Sequence, residues 1–324
     1  MARDILKMLA ADVVLGDGGY VLELEHRGYI QAGPYTPEVA LEHPEALEQL
    51  HREFARAGAQ VLQACTFYGS GDKLELVGRQ HQVEDINRAA VRLARKVAGE
   101  SLLVAGGLSP TPTFQPGDRR PLELMVRQVQ VQADEGVDFI IGETFIWLEE
   151  ARLALEAIRT TRLPAMITLN IGLGGSRDGH SPEECARRLE DAGADILGSN
   201  CSYDPEISLQ VASRMAAATG VFAACQPLGY RTGEIPFTEL PEFPLGLEER
   251  QLTRFAMADF AARARDSGIR FIGGCCGVAP YHLRAMAEAL GRTPSAGAKS
   301  PDLSRHIIPE IRRKDDAAYW SPVS

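Results

Sequence analysis

The segment Val83-Glu-Asp-Ile-Asn-Arg-Ala-Ala-Val-Arg-Leu-Ala-Arg-Lys-Val-Ala-Gly-Glu-Ser-Leu-Leu-Val-Ala105 decides the fold, because a helical pattern leads directly into a strand-like run. Within residues 83–97, apolar side chains recur at i, i+3, i+4, i+7, i+8 and i+11, which predicts a helix with one apolar face. They are Ile86, Ala89, Ala90, Leu93, Ala94 and Val97. Residues 102–105 are too few for a helix and are typical of a buried parallel strand.

Eight such apolar or β-branched runs recur along the chain, and helical segments separate them. They are residues 13–16, 61–64, 102–105, 139–142, 165–169, 195–198, 221–224 and 271–274. Strict alternation of strands and helices is typical of the α/β class with a parallel sheet. The count of eight favours a closed parallel (β/α)8 TIM barrel, and a doubly wound open sheet is the alternative.

The links between these elements differ in length according to their direction. Links from helix to strand are a few residues long, whereas several links from strand to helix are long and rich in Gly, Pro and aromatic residues. The long links are residues 20–37, 66–82, 109–121 and 227–248. In a barrel they all lie at the C-terminal face of the strands, where active sites are built.

Composition and charge exclude several kinds of partner. The chain has 44 acidic and 34 basic residues and a formal net charge of −10, which disfavours nucleic acid or an anionic membrane as the main partner. The N-terminal residues mix charges with apolar side chains and lack the pattern of a signal peptide or a transmembrane segment. We therefore expect a cytoplasmic protein that acts on small molecules.

The barrel pattern does not extend to the end of the chain. After Gly291 the periodicity gives way to Thr293-Pro-Ser-Ala-Gly-Ala-Lys-Ser-Pro, which has the composition of a linker. The predicted organisation is therefore a barrel over residues 1–291, followed by a linker and short C-terminal tail over residues 292–324.

Three cysteines stand at the ends of two strand-like runs. Cys275 and Cys276 end the eighth run, and Cys201 follows the sixth. Strand ends six and eight are two positions apart around a closed barrel, so the three thiols can converge on its upper face. Three soft ligands without an obvious fourth predict an open zinc site. A strained vicinal disulfide between Cys275 and Cys276 is the alternative.

The remaining three cysteines lack such a partner pattern. Because free cysteines are among the most buried residues, we interpret Cys65, Cys185 and Cys225 as small apolar side chains of the core.

Two acidic residues also stand at strand ends. Asp17 follows the first run and precedes Gly18 and Gly19, whose backbone N–H groups could bind a carboxylate while Asp17 binds an ammonium group. An ordinary glycine turn is the alternative. Glu143 follows the fourth run, where a carboxylate in an apolar stretch needs a cation. This favours a functional role over a structural ion pair.

Three aromatic residues lie on the predicted upper-face loops. Tyr35, Phe67 and Tyr68 could form a cage around a cationic group of a ligand. Alternatively, they pack down on the rim of the barrel.

Several short strings resemble the zinc-dependent homocysteine S-methyltransferase family, and most of all its betaine–homocysteine S-methyltransferase branch. The family-wide motifs are Asn200-Cys and Gly273-Gly-Cys-Cys-Gly. The N-terminal strings point to the betaine branch: Gly16-Asp-Gly-Gly, Arg27-Gly-Tyr, Ala32-Gly-Pro-Tyr-Thr-Pro-Glu, Glu42-His-Pro-Glu-Ala, Leu50-His-Arg-Glu-Phe, Thr66-Phe-Tyr and Asp72-Lys-Leu. Further matches are Gln226-Pro-Leu and Leu240-Pro-Glu-Phe-Pro. The resemblance covers residues 13–290.

The resemblance implies roles for the residues singled out above. By this likeness the zinc ligands are the three cysteines, and homocysteine is held by the acidic residues and the glycine pair. Tyr35 and Tyr68 match positions that line the methyl-donor pocket. The implied catalytic set is Cys201, Cys275, Cys276 and Glu143, and the implied homocysteine-binding set is Asp17, Gly18, Gly19 and Glu143.

The implied reaction is attack by the homocysteine sulfur, kept as a thiolate by Zn²⁺, on the methyl carbon of an onium donor. With glycine betaine the products are methionine and dimethylglycine.

Two departures from the betaine branch concern the methyl donor. Thr144 stands where the betaine enzymes have a tyrosine, and Tyr35 stands where they have a tryptophan. Other donors therefore remain open: dimethylsulfoniopropionate, S-methylmethionine or a corrinoid protein. The tail is also shorter than that of the vertebrate-type enzymes, which disfavours a tetramer and is compatible with a homodimer.

Two hypotheses from other classes also fit parts of the pattern. A metal-free barrel lyase or aldolase would use Glu143 as its base. A non-catalytic zinc or thiol sensor would bind metal without turnover. Methyl transfer to homocysteine distinguishes both from the main hypothesis.

Overall fold

Eight parallel strands form one sheet in the computed structural model, which describes residues 4–30, 38–244 and 246–295. The strands are β1 (Val14–Leu15), β2 (Val61–Gln63), β3 (Leu103–Leu108), β4 (Phe139–Phe145), β5 (Ala165–Leu169), β6 (Ile196–Asn200), β7 (Phe222–Gln226) and β8 (Phe271–Ile272). Each of the eight predicted runs overlaps one of these strands.

The strand order identifies the architecture as a barrel. Neighbours in the sheet follow the order β1-β8-β7-β6-β5-β4-β3-β2, so the first and last strands of the chain are paired. A doubly wound sheet would instead reverse its strand order at a switch point. The predicted (β/α)8 barrel is therefore confirmed.

The ring is completed between β1 and β2 without a regular ladder. The backbone N–H of Gln60 donates to the carbonyl of Leu15 over 2.8 Å, and the Gln60 side-chain oxygen accepts from the Leu15 N–H over 3.0 Å. Arg292, the first residue of the predicted tail, donates to the same Gln60 oxygen over 2.6 Å and also to the carbonyl of Val13. Side chains thus supply part of the closure.

Helices surround the sheet and connect its strands. They are α1 (Ile5–Ala11), α2 (Val21–His26), α3 (Val39–Glu42), α4 (Pro44–Ala57), α5 (Gly71–Glu75), α6 (Val83–Ala98), α7 (Arg120–Asp134), α8 (Leu148–Arg159), α9 (Pro182–Asp191), α10 (Pro205–Ala217), α11 (Arg254–Asp266) and α12 (Pro280–Ala289). Short 3₁₀ turns occupy Gln80–Gln82, Phe237–Glu239 and Leu247–Arg250. The division of the chain at residue 291 stays a prediction, and residues 296–324 of the predicted tail lie outside the described residues.

The helix predicted over residues 83–97 corresponds to α6, but its buried face is rotated from the predicted stripe. Ile86, Ala90 and Ala94 are buried as expected, whereas Ala89, Leu93 and Val97 are only partly buried. The buried face also contains Asn87, whose amide donates to the carbonyls of Gly69 and Val83. The amide finds partners there, so a polar residue is tolerated inside.

The barrel interior is filled by apolar side chains, and α1 covers one end of it. A cluster of buried residues combines Ile5 and Leu9 of α1 with strand residues that point inward. Those strand residues are Val14, Val61, Leu103, Ala105, Phe139, Ile141, Met166, Ile196, Ala224 and Phe271. Because several of them begin their strands, α1 closes the N-terminal end and leaves the opposite end for a site.

The long links lie at that opposite end, and they are partly structured. The link after β1 contains α2, and the link after β2 contains α5 and a 3₁₀ turn. In the parts of the chain that the structure describes, no helix has the length and apolar character needed to cross a membrane.

The packing of α1 gives a test of the interior. Leu9 is fully buried, so Leu9→Ala should lower the free energy of unfolding by about 2–5 kcal/mol. Lys7 lies on the same helix with its side chain 85% exposed, and Lys7→Ala should change the free energy by no more than about 0.5 kcal/mol. Urea unfolding measures both variants. Equal losses would contradict the packing of α1 into the barrel.

Candidate active site

Three thiols converge at the C-terminal face of the barrel. Cys201 directly follows β6, and Cys275 and Cys276 lie in the turn after β8. Their sulfur atoms all lie within 4.8 Å of one another. Among the described residues, no other group of three His, Cys, Asp or Glu side chains is arranged to hold a metal ion. The structure therefore brings together the three cysteines that the sequence singled out.

Glycines allow the turn after β8 to present both adjacent thiols. The Cys275 N–H donates to the carbonyl of Pro227 over 2.8 Å, and the Val278 N–H donates back to the Cys275 carbonyl over 3.0 Å. Gly277 has φ of 78°, and a Cβ atom there would lie 2.5 Å from the Tyr230 ring. A residue with a side chain would be both strained and obstructed at this position.

The backbone at Cys201 is also unusual. Cys201 and Ser202 both have φ of 54°, in the left-handed region that side chains disfavour. Such residues cost on the order of 1–3 kcal/mol each and occur mostly where surrounding structure enforces them. Here the Cys201 N–H donates to the carbonyl of Gln226 over 3.1 Å, and its carbonyl accepts from the Tyr203 N–H over 2.7 Å. This conformation directs the thiol toward the other two.

Hydrogen bonding among the three thiols separates their acidities. Donation from Cys201 and Cys275 lowers the pKa of Cys276 well below its ordinary value. Hydrogen bonding with Cys275 and then with Cys276, together with burial, raises the pKa of Cys201 well above its ordinary value. Cys276 therefore loses its proton first, and further ionisation is opposed because thiolates at this spacing repel one another.

The other cysteines lie apart from this group. Cys185 and Cys225 are fully buried in the apolar core, and burial raises the pKa of both thiols. Cys65 is partly buried against the same core, and burial raises its pKa to about 12.

Asp17 is buried beside the thiols and is held by two donors. Its Oδ2 accepts from the Tyr20 hydroxyl over 2.5 Å and from the Gln63 N–H over 2.7 Å. Burial nevertheless raises the pKa of Asp17 to about 7, since the charged form loses its hydration. Tyr20 is positioned in turn by His51, whose Nδ1 lies 2.8 Å from the hydroxyl oxygen.

Gly18 and Gly19 allow the loop after β1 to pack against the cysteine turn. A Cβ atom on Gly18 would lie 2.2 Å from the Val278 carbonyl oxygen, and one on Gly19 would lie 2.7 Å from the Cys275 carbonyl oxygen. The Gly19 N–H donates to the carbonyl of Val278 over 3.0 Å, so this group already has a protein acceptor. For Gly18, a role in binding a carboxylate stays a prediction.

Glu143 lies inside β4, where an irregular register between Gly142 and Phe145 bends the strand. It is 8% exposed, and burial raises its pKa to about 8. The Gln63 side chain donates to one carboxylate oxygen, and Asn200 donates to the other over 3.2 Å. Amides rather than a basic side chain therefore hold Glu143, and the described residues show no structural ion pair there.

Asn200, the last residue of β6, is hydrogen-bonded to Thr144 of β4 as well as to Glu143. Its side-chain oxygen accepts from the Thr144 N–H over 2.9 Å, and its amide donates to the Thr144 hydroxyl over 2.8 Å. Thr144 itself has φ of 68°. Its side chain is thus engaged with Asn200, at the position where the betaine branch has a tyrosine.

Of the three predicted aromatic residues, Phe67 and Tyr68 lie in the described part of the chain. Phe67 and Tyr68 meet edge to face with ring centroids 4.7 Å apart, and both contact the Lys73 ammonium, at 4.6 Å and 5.1 Å from the centroids. Burial, and to a smaller extent the charges of Cys276, Cys201 and Cys275, raise the pKa of Tyr68. Tyr35 lies outside the described residues.

The sequence reasoning assigned no role to several contributors to this site, among them Gln63, Asn200 and Lys73, although Asn200 and Lys73 lie within the motif strings Asn200-Cys and Asp72-Lys-Leu. Gln63 and Asn200 are the last residues of β2 and β6, so polar residues at strand ends were the available signal. Lys73 lies on a short helix within a long link and carries no such signal.

A parallel barrel whose strand ends gather three thiols beside two buried carboxylates is typical of a barrel enzyme, and its thiol group could hold a metal ion. Residues 14–290 match the family described as homocysteine S-methyltransferase. The chain therefore belongs to the homocysteine S-methyltransferase family, as the sequence motifs predicted.

Individual relatives support the same assignment. The chain is 44% identical to betaine–homocysteine S-methyltransferase 1 of Mus musculus over 98% of its own length and 84% of the relative. It is 41% identical to an S-methylmethionine–homocysteine S-methyltransferase of Pongo abelii over 98% of its own length and 92% of the relative. The predicted lyase and sensor alternatives find no support in these matches.

Solved structures share the fold. The homocysteine methyltransferase MmuM of Escherichia coli, in its oxidised form, is 22% identical with a TM-score of 0.72, covering 88% of this chain and 99% of that chain. Its metallated form has a TM-score of 0.71 with the same identity and coverage.

The geometry of the cysteine turn gives a test. Gly277→Ala places a methyl group against Tyr230 at a positive φ, and should lower the free energy of unfolding by about 2–4 kcal/mol. The matched control is Gly117→Ala, where φ is 82° but nothing lies within 4 Å of the added Cβ. That variant should lose only about 1 kcal/mol. Urea unfolding distinguishes them, and similar losses would contradict the close packing of the turn.

Proposed function

We propose that this protein transfers a methyl group from an onium donor, glycine betaine in the first instance, to the sulfur of homocysteine. The products are methionine and dimethylglycine. The observation that carries the proposal is the convergence of three thiols within 4.8 Å beside buried Asp17 and Glu143.

The thiol group fits Zn²⁺ as the resident metal. Three thiolates in tetrahedral positions around one zinc, at a Zn–S distance of about 2.3 Å, would lie about 3.8 Å apart, which the observed spacing accommodates. Cys201, Cys275 and Cys276 would be the ligands, and thiolate is the donor type that zinc favours. When bound, the metal would hold the homocysteine sulfur in its deprotonated, nucleophilic form.

The two buried carboxylates would bind the amino-acid part of homocysteine. Asp17 and Glu143 carry pKa values raised by burial, and an incoming ammonium group would offset the cost of charging them. Gln63 contacts both, with its N–H on Asp17 and its amide on Glu143. This shared contact would fix the relative positions of the two carboxylates.

The chemical step needs alignment more than proton transfer. The sulfur forms a bond to the methyl carbon as the carbon–nitrogen bond of betaine breaks, and the bonding pair stays on nitrogen. An anionic nucleophile and a cationic donor become neutral centres, so a site that replaces water around both reactants assists the step. Holding the two reactants in line supplies much of the rate enhancement.

The relatives differ in the methyl donor for which they are named. Those named for betaine are 43–45% identical to the chain, and one named for S-methylmethionine is 41% identical. The shared strings favour betaine, and Thr144 in place of the tyrosine leaves S-methylmethionine and dimethylsulfoniopropionate as candidates. A homodimer and the 292–324 tail stay predictions.

The central test is methionine formation from homocysteine by zinc-loaded, reduced protein. We expect turnover with glycine betaine, and loss of at least about 10³-fold in Cys275→Ala together with loss of bound zinc, because a ligand is removed. Cys185→Ala is the matched control, since that thiol lies in the core on α9, and it should keep both zinc and activity.

Each outcome of this test is informative. Turnover only with another donor would keep homocysteine as acceptor and reassign the donor. Full zinc content and activity in Cys275→Ala, or no turnover with any donor, would overturn the proposal.

The raised pKa of Asp17 predicts a pH dependence of ligand binding. Asp17 must be charged to bind an ammonium group, and it becomes protonated as the pH falls through about 7. The affinity for methionine, which has no thiol proton to lose, should therefore fall by up to about tenfold per pH unit below that value. Calorimetric titration between pH 5.5 and 8.5 measures this. In Asp17→Asn the affinity should be low and nearly independent of pH, and an unchanged pH profile in that variant would contradict the assignment.

A further inference from the structure

Lys73 places a buried positive charge next to the aromatic pair. It lies on α5 in the link after β2, and it is only 6% exposed. Its ammonium donates to the Ser109 hydroxyl, which in turn donates to the carbonyl of Phe67. The rings of Phe67 and Tyr68 lie 4.6 Å and 5.1 Å from the ammonium. The position of the charge is therefore fixed by neighbours on two loops.

Among the described residues, no carboxylate oxygen lies within 4.0 Å of the Lys73 ammonium nitrogen, so this charge has no ion-pair partner. Burial lowers the pKa of Lys73 to about 8, and the charges of Asp72, Glu150 and Glu143 oppose that effect. A buried ammonium without a paired anion is costly unless something compensates it.

Among the described residues, none of the three carboxylates whose charges act on Lys73 lies within ion-pair distance of its ammonium. Glu150 accepts from the Thr111 N–H and hydroxyl over 2.6 Å and 2.8 Å. Asp72 accepts from the backbone N–H of Lys73 over 2.9 Å. Glu143 is held by its amide donors. A ligand carboxylate would supply the anion that the protein does not.

Tyr68 lies with Lys73 in the link after β2, at the same C-terminal face of the barrel as the three thiols. Its ring contacts the Lys73 ammonium. A donor lying along this ring would have a cation at one end and the sulfur nucleophile at the other. Its carboxylate would be attracted to Lys73 and its onium group repelled from it.

We propose that Lys73 determines the charge class of the methyl donor, favouring zwitterions with one onium group and one carboxylate and disfavouring donors of net positive charge. The inference rests on the proposed function and deepens it. Glycine betaine and dimethylsulfoniopropionate belong to the favoured class. S-methylmethionine carries an additional ammonium group and belongs to the other. The same charge orients the donor, because it directs the onium methyl groups toward the thiols.

The test compares donors in Lys73→Met, which removes the charge and keeps an unbranched apolar chain against the rings. We expect the KM for betaine and for dimethylsulfoniopropionate to rise about tenfold or more, since a charge-assisted contact is lost. The KM for S-methylmethionine should stay within about twofold or fall, as should the KM for homocysteine. Lys73→Arg should recover part of the betaine affinity.

Lys96→Met is the matched control, because the Lys96 side chain is 63% exposed, and it should leave every constant unchanged. A purely structural role for Lys73 would alter all donors alike. Equal changes for all donors, or no change for any, would overturn the inference while turnover by the unaltered protein keeps the proposed function.

A measurement on the unaltered protein covers the case in which Lys73→Met fails to fold. 3,3-Dimethylbutanoate has the shape and carboxylate of betaine without the onium charge, and tetramethylammonium has the onium charge without the carboxylate. The first should bind more tightly than the second in calorimetric titration and should compete with betaine. The opposite order would overturn the inference. Because binding is measured directly, this holds even if no donor is turned over, which would overturn the proposed function alone.

Discussion

The structure depends on bringing three sulfur atoms of like charge into one small volume. Thiolates repel one another, so such a group persists only where the backbone enforces it and a cation can compensate it. The backbone does so at two places with unfavourable local geometry, the positive φ at Cys201 and Ser202 and the glycine turn that follows β8. Because β6 and β8 both pair with β7, their carboxyl ends lie two positions apart in the sheet, and this brings the two places together.

The charged groups around the thiols share one property, which is that each is buried without an oppositely charged partner among the described residues. Asp17 and Glu143 are buried without basic partners among the described residues and are held by amide and hydroxyl donors. Lys73 is buried without an acidic partner within ion-pair distance. In the proposed site, these charges stay unpaired until a zwitterionic amino acid and a charged donor bind. Unpaired buried charges lower the stability of the folded protein, and they occur at functional sites where ligand binding compensates that loss.

The sequence predicted the fold well because each strand carries its own local signal. Short apolar runs that alternate with helical patterns determine a parallel sheet, and strand ends then identify Cys201, Cys275, Cys276, Asp17 and Glu143. What the sequence did not predict depends on contacts between distant segments. The rotated face of α6 follows from partners found by the Asn87 amide, and the bonded Gly19 N–H follows from the approach of the turn after β8. Lys73 gave no signal because a lysine on a short surface-loop helix is ordinarily exposed.

The seam between β1 and β2 has a consequence for biosynthesis. The ring closes by pairing β1 with β8, and Arg292 then bonds to Val13 and Gln60 across the seam. The first strand to leave the ribosome therefore stays without its β8 partner until the last strand has been synthesised. During most of translation, an open sheet with an unpaired edge is exposed. Premature termination before the final strand would leave a polypeptide with seven strands, a free edge and only one of the three thiols, so truncated chains should be prone to aggregation and unable to retain metal.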